Sequence, residues 1–162
     1  MDAQTLSSVL DSLKDPQITR MLEGQAQQMV VAGIKFMAFN LEPGAYSSGF
    51  ATNVNVIKQD LPLPMSPSVV AQIVAGQLEG LDSVEKPVGR RQISLKSGSA
   101  EGLTIHMRNQ LPDGSTIALT MLQLITVKGN SAFAVTLTTP TAEFDKYSAT
   151  FDKIEQSFTI LN

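Results

Sequence analysis

The chain has no cysteine and no tryptophan, and it has a single histidine among its 162 residues. Without cysteine it can form no disulfide, thiolate nucleophile, zinc-thiolate site or lipidated cysteine. With His106 as its one imidazole, it cannot build a site that needs two. These absences exclude several common catalytic and metal chemistries, and they leave the redox compartment open.

Charge is also scarce and evenly mixed. Charged residues make up 17% of the chain, and twelve Lys and Arg against fifteen Asp and Glu give a net charge of −3. No run of one sign supplies the basic stripe that phosphate backbones require. Nucleic acid is therefore not an expected partner.

Long apolar runs are missing as well. No stretch reaches the roughly 20 apolar residues of a membrane-spanning helix. Residues 1–14 show helical spacing and lack the basic segment before an apolar run that marks a signal peptide. We expect no membrane span in this chain, and the compartment stays open, either cytoplasmic or, after removal of a leader, extracytoplasmic.

The apolar content is sufficient for one folded domain. Hydrophobic residues make up 43% of the chain, and a domain of this length buries roughly 70% of the surface that its unfolded chain exposes. We find no internal repeat, low-complexity tract or linker. The expected organisation is a single domain over residues 1–162.

The first half of the chain predicts helices around two strands. Helical spacing up to residue 13, followed by a cap at Asp15 and Pro16, predicts helices within residues 1–32. Strands are predicted at 34–40 and 50–57, where apolar and polar residues alternate or aromatic residues cluster. Ser66 and Pro67 then begin a helix that ends near residues 80–82.

The second half predicts an antiparallel meander and a terminal helix. Strands at 92–95, 103–108, 116–127 and 132–138 are separated by short turns that contain glycine. The last helix carries an apolar stripe at spacings of three and four, and its charged residues are expected on the other faces. The stripe comprises Phe144, Tyr147, Phe151, Ile154 and Phe158, and the charged residues are Asp145, Lys146, Asp152, Lys153 and Glu155.

No pattern of residues indicates a catalytic or metal site, and no cofactor is expected. Two pairs are candidates for a partner or ligand surface. Arg90 and Arg91 could hold an anion or an acidic partner surface, and the ordinary alternative is a solvated strand edge. Asn53 and Asn55 share a strand face that could line a polar pocket or simply face solvent. His106 is interpreted as a surface or helix-packed strand residue.

The order of elements resembles a known family. The residues that carry the likeness are the strand 50–56, FATNVNV, the strand 133–138, FAVTLT, and the terminal stripe with Ser157. From about Ile34 onward the chain is similar to the family of the photosystem II subunit PsbP, the Ran-binding import factor Mog and bacterial PsbP-like proteins, including LpqN-type lipoproteins. Relatives typically begin with a strand pair and a turn containing tryptophan, which this sequence does not show.

The resemblance implies an α+β fold in which a central antiparallel sheet of five to six strands is sandwiched between helices (α/β/α). It also implies a protein that binds other proteins and has no shared catalytic residues. The leading hypothesis is therefore a non-enzymatic protein-binding or scaffold domain with an unidentified protein partner. The alternative is a small-ligand carrier with a cleft between sheet and helices near Asn53 and Asn55. A strand edge left uncovered by the missing strand pair would favour a homodimer, and the alternative is that the first helix folds over the gap and keeps the chain monomeric.

Overall fold

The computed structural model describes residues 34–42, 45, 48–111 and 113–160. The helices predicted within residues 1–32 lie outside the described residues. The described residues form six strands, two α-helices and one 3₁₀ turn. These are β1 (Ile34–Phe39), β2 (Asn53–Asp60), α1 (Pro67–Glu79), β3 (Gly89–Leu95), β4 (Gly98–Gln110), β5 (Thr116–Lys128), β6 (Ser131–Pro140), the 3₁₀ turn (Thr141–Glu143) and α2 (Phe144–Ser157).

The six strands form one antiparallel sheet in the order β1-β2-β6-β5-β4-β3. The predicted meander accounts for β3 to β6, which are joined by short hairpins. Gly114 and Gly129 have φ of 85° and 59°, so these turns use the left-handed backbone region that glycine enters without steric cost. The sequence-based prediction of an α+β fold with an antiparallel sheet is confirmed.

Strand β2 lies three residues later than predicted. Its polar end, through Asp60, still pairs with β6, and Asp60 faces Ser131 in the register. The ladder bonds join backbone groups, so pairing with β6 continues through Asp60 after the side-chain alternation is lost at Ile57. Thr52, just before β2, is held by its hydroxyl, which lies 2.8 Å from that of Thr139.

Both helices begin where the sequence predicts. Ser66 caps α1 by accepting a hydrogen bond from the Val69 N–H at 3.3 Å, and Pro67 occupies the first turn. Helix α2 follows the 3₁₀ turn directly. Neither helix, at 13 and 14 residues, is long and apolar enough to cross a membrane.

The two helices pack on opposite faces of the sheet. Ile125 belongs to the cluster beneath α1, whereas the preceding Leu124 packs with Ile154 and Phe158 at the end of α2. Successive strand residues point to opposite faces, so each helix has its own face. The α1 cluster is built from Val70, Ala71, Ala75, Val84, Val88, Leu103, Ile105, Ile125 and Ala132. A fuller helical layer on each face stays a prediction.

Candidate functional site

The predicted arginine pair is divided between the two faces of β3. Arg90 donates through Nη2 to the carbonyl and hydroxyl oxygens of Ser68 at 3.2 and 3.3 Å, and it lies 3.8 Å from Glu101. Arg91 donates through Nη2 to both carboxylate oxygens of Glu155, at 2.9 and 2.7 Å. Adjacent strand residues point apart, so the two guanidinium groups do not converge on one ligand.

Glu155 is not solvent-facing, contrary to the sequence-based expectation. It is 6% exposed and forms the ion pair with Arg91, whose side chain is 50% exposed. The pair links the end of α2 to the edge strand β3. Arg91 therefore has an internal partner, which makes it a weaker candidate for binding an external anion.

The asparagine pair lies at the other end of the sheet. Four strand spacings separate β2 from β3, which amounts to about 19 Å. Asn53 is 7% exposed and donates through Nδ2 to the Ala51 carbonyl at 3.1 Å. The interpretation of a solvent-facing side chain is therefore wrong for Asn53.

Asn55 belongs to a polar row across three strands. In the register both Asn55 and Gln123 face Thr136, and Gln123 Nε2 donates to the Thr136 hydroxyl at 3.0 Å. The Asn55 Oδ1 and Gln123 Oε1 atoms are buried and accept no hydrogen bond within the part of the chain described. These polar residues lie on the face of the sheet that α1 partly covers, among the apolar residues of that face.

An open cleft lies on the opposite face, between α2 and the β1-β2 end of the sheet. Its volume is about 420 Å³, within the range of roughly 300–1,000 Å³ that is usual for ligand sites. Of the four residues predicted from sequence, it includes only Asn53. The lining residues are Ala38, Phe39, Asn40, Glu42, Thr52, Asn53, Val54, Lys146, Tyr147, Thr150, Phe151 and Ile154.

The helical side of the cleft follows from the spacing of α2. Tyr147, Thr150, Phe151 and Ile154 recur at intervals of three and four, so they share the side of α2 that lines the cleft. Tyr147 and Phe151 stack with ring centroids 6.2 Å apart and are 8% and 3% exposed. The predicted aromatic stripe therefore packs on the sheet and also supplies one wall of the cleft.

The polar end of the cleft is organised by Asn40. Its backbone N–H donates to the Thr52 carbonyl at 2.8 Å, which keeps it beside β2 after β1 has ended. Its Oδ1 accepts the Glu42 N–H at 3.0 Å, and its Nδ2 donates to the Tyr147 hydroxyl at 3.0 Å. The bond from the Glu42 N–H fixes the orientation of the Asn40 side-chain amide, because only the amide oxygen can accept a hydrogen bond.

A charged group flanks this hydroxyl. The Lys146 ammonium lies 5.0 Å from the centroid of the Tyr147 ring, a cation–π distance. Hydrogen bonding to Tyr147, with smaller contributions from nearby charges that include Glu143 and Glu42, raises the pKa of Lys146 above its ordinary value. At neutral pH the cleft therefore carries a positive charge beside a phenol, with Glu42 also on its wall.

His106 lies on the strand face opposite Leu103, Ile105 and Met107, as predicted. Its Nδ1 lies 3.1 Å from the Thr120 hydroxyl, which in turn lies 3.0 Å from that of Thr141. Thr120 is 2% exposed, so the hydroxyl that His106 contacts is buried in the sheet. No group of three or more metal-ligating side chains occurs within residues 34–42, 45, 48–111 and 113–160.

Sequence reasoning missed the polar residues of the cleft. Asn40 and Tyr147 are 107 residues apart in the chain, so no local pattern signals their contact. From sequence, Tyr147 is predicted only as a member of the apolar stripe, and Lys146 only as a charged residue on another face of the helix.

No protein-family model matches the sequence, and no curated protein matches it significantly. Among solved structures, a protein of unknown function, PA94, from Pseudomonas aeruginosa is similar with a TM-score of 0.52 and 15% identity over 69% of this chain and 73% of that one. LpqN from Mycobacterium tuberculosis, involved in cell envelope biogenesis, is similar with a TM-score of 0.50 and 16% identity, over 69% of this chain and 64% of LpqN. Cyanobacterial PsbP from Synechocystis sp. PCC 6803 is similar with a TM-score of 0.50 and 13% identity, over 68% of each chain.

These likenesses concern the fold alone, because the identities are low. Two of the three proteins are of the types named by the sequence resemblance. The chain therefore has a PsbP/LpqN-like fold, as the resemblance predicted.

Proposed function

We propose that this chain is a non-enzymatic binding domain of a bacterial PsbP-like protein, and that it holds a protein partner in the cleft beside α2. The fold supports a binding role only through resemblance, and the roles of the neighbours are not transferred. The proposal rests on the chemistry of the cleft.

The observation that carries the proposal is that the apolar wall of the cleft continues onto exposed surface. Phe36 is 53% exposed and lies on the same face of β1 as Ala38, a cleft residue, because the two are two positions apart. In the register Phe36 faces Val56 and Ala38 faces Val54. An apolar strip that extends beyond a cleft fits a partner larger than a small molecule.

The side chains that line the cleft are also preorganised for binding. Asn40 and Tyr147 hold each other by a hydrogen bond, and Tyr147 and Phe151 are buried and stacked. Side chains that are already ordered lose little conformational entropy when a partner binds. The same site would therefore bind without major rearrangement.

The second candidate function is a small-ligand carrier. A cleft of about 420 Å³ that combines apolar and polar walls favours it. The cleft is open to solvent, whereas a carrier benefits from enclosing its ligand. A carrier would bind through Val54 and Phe151 and would not depend on Phe36.

The test uses a photocrosslinking amino acid, p-benzoylphenylalanine, at Thr150 on the cleft wall. The control places it at Ile73, which is 47% exposed on α1, the helix of the opposite face. A protein captured from a cell extract only through position 150 is then purified and its affinity measured by calorimetry. Phe36→Ser is expected to weaken binding about tenfold and Ile73→Ser to leave it unchanged.

Two results would overturn the proposal. One is capture at position 73 in place of position 150. The other is equal affinity of the purified partner for the Phe36→Ser, Ile73→Ser and unaltered proteins. A low-molecular-weight compound that co-purifies with the chain and binds independently of Phe36 would favour the carrier.

A further inference from the structure

The polar end of the cleft presents hydrogen-bond donors. Asn40 Oδ1 is occupied by the Glu42 N–H, so the amide turns its NH₂ group toward Tyr147. The Tyr147 hydroxyl accepts from that NH₂ group, and among the described contacts its own hydrogen has no acceptor. A phenol that already accepts a hydrogen bond is oriented to donate. A ligand that binds at this end can accept the Tyr147 hydrogen if it supplies an acceptor oxygen.

Charge narrows the choice of acceptor. Lys146 is positive and lies beside the Tyr147 ring, which favours an anion. Glu42 lies on the same wall and Glu143 is close enough to act on Lys146, so a ligand with several negative charges is repelled. A single carboxylate satisfies both conditions.

The rest of the cleft is apolar. Phe39, Val54, Phe151 and Ile154 line it, and Phe151 is almost fully buried. A ligand that places its carboxylate at Tyr147 must therefore carry an apolar group next to that carboxylate. The last residue of a polypeptide has this form when its side chain is aliphatic, and the preceding residues can leave toward the exposed strip at Phe36.

We propose that the cleft binds the free C-terminus of a partner protein, with the terminal carboxylate on the Tyr147 hydroxyl, the Asn40 amide and Lys146, and an aliphatic last side chain against Val54 and Phe151. This inference rests on the proposed function, since it names the part of the partner that enters the cleft. Capture of a terminal carboxylate is one of the recurring modes of peptide recognition.

The experiment measures binding of an acetylated tetrapeptide, Gly-Gly-Ser-Leu, by calorimetry and by amide chemical shifts of the full chain. Three further probes accompany it: the same peptide with a C-terminal amide, the peptide ending in glycine, and 4-methylpentanoate as a free acid. We expect the free carboxylate to bind about tenfold more tightly than the amide, since charge-assisted hydrogen bonds are lost with the charge. The peptide ending in glycine and 4-methylpentanoate should each bind more weakly than the C-terminal amide peptide.

Two variants test the assignment of the donors. Tyr147→Phe keeps the ring and its packing, so it should fold, and it should reduce the preference for carboxylate over amide several-fold. Lys146→Met should act in the same direction. Lys153→Met is the control, because Lys153 is also exposed on α2 but lies two turns, about 10 Å, further along.

Equal binding of the carboxylate and amide peptides at the cleft would overturn the carboxylate assignment and leave the proposed function standing. Tighter binding of 4-methylpentanoate than of the peptide would overturn the protein terminus as the occupant. Failure of every probe to shift the cleft amides would also overturn this inference, whereas the proposed function is decided separately by the crosslinked partner and Phe36→Ser.

Discussion

The two ends of α2 use their polar side chains in different ways. At the C-terminal end, Glu155 is buried and both of its carboxylate oxygens accept from Arg91. Around that pair, Ile154 and Phe158 pack against Ile93, Ala100 and Leu124 of β3, β4 and β5, and we call this packed end of the helix the closed end. At the N-terminal end, which we call the open end, Lys146 and Tyr147 border the cleft, and the Tyr147 hydroxyl still has a hydrogen to donate.

The comparison of the two ends distinguishes polar groups that stabilise the fold from polar groups that are free to bind a ligand. A buried charge with its partner in place is satisfied and stabilises the docking of the helix. A donor at the wall of a cleft can complete its bonding with a ligand. The same helix thus fastens itself to the sheet at one end and offers a site at the other.

The largest expected effect concerns the residue that lies between the two ends. Phe151→Ala should lower the free energy of unfolding by about 3–5 kcal/mol, because Phe151 is 3% exposed and its removal leaves a cavity. Chemical denaturation measures the change. Lys153→Ala is the control and should change stability by less than about 0.5 kcal/mol. Small, equal effects would show that the assigned face of α2 is wrong.

A smaller and asymmetric effect is expected at the closed end. Arg91→Met leaves the Glu155 carboxylate, with a side chain only 8% exposed, without its partner and should cost about 2 kcal/mol of stability. Glu155→Gln leaves a guanidinium that is 50% exposed and can turn to water, so it should cost less than about 1 kcal/mol. Denaturation of both variants measures the asymmetry. Equal costs would mean that the carboxylate is solvated and that the two ends of the helix do not differ in this respect.

The smallest effect concerns protonation at the open end. Tyr147 raises the pKa of Lys146, so Tyr147→Phe should return that pKa toward its ordinary value of 10.5. A raised folded-state pKa gives stability that is complete below the unfolded value and is lost as pH rises through the folded value. An NMR titration of the lysine ε-methylene groups measures the shift, with Lys153 as the reference resonance. An unchanged Lys146 titration in the variant would place its ammonium away from the phenol.

Much of the fold could be predicted because its signals are local. Alternation of side chains, turn glycines such as Gly114 and Gly129, and the Ser66-Pro67 start of α1 each involve neighbouring residues. The bounds of β2 could not be predicted, since pairing with β6 extends them through Asp60. That pairing joins segments about 70 residues apart in the chain and leaves no trace in the local pattern.

The candidate site was harder to predict for two separate reasons. The contact between Asn40 and Tyr147 is long-range and involves residues of ordinary type. Glu155 did carry a local signal, because Tyr147, Phe151 and Glu155 recur at intervals of four and share one helix face. Its charge nevertheless predicts a solvent-facing position, because charged residues are seldom buried without a partner, and the partner, Arg91, is 64 residues away in the chain.

The most direct test of the central claim is to map small organic probes on the whole chain by NMR. Phenol, isopropanol and acetonitrile are titrated separately, and the backbone amide shifts are followed without any assumption about the natural ligand. We expect the perturbed amides to cluster at the open end, at Asn40, Val54 and Thr150, while the amides of Arg91 and Gln156 at the closed end keep their shifts. Clustering at the closed end or on the α1 face, or no clustering at all, would contradict the claim that the cleft beside α2 is the binding site.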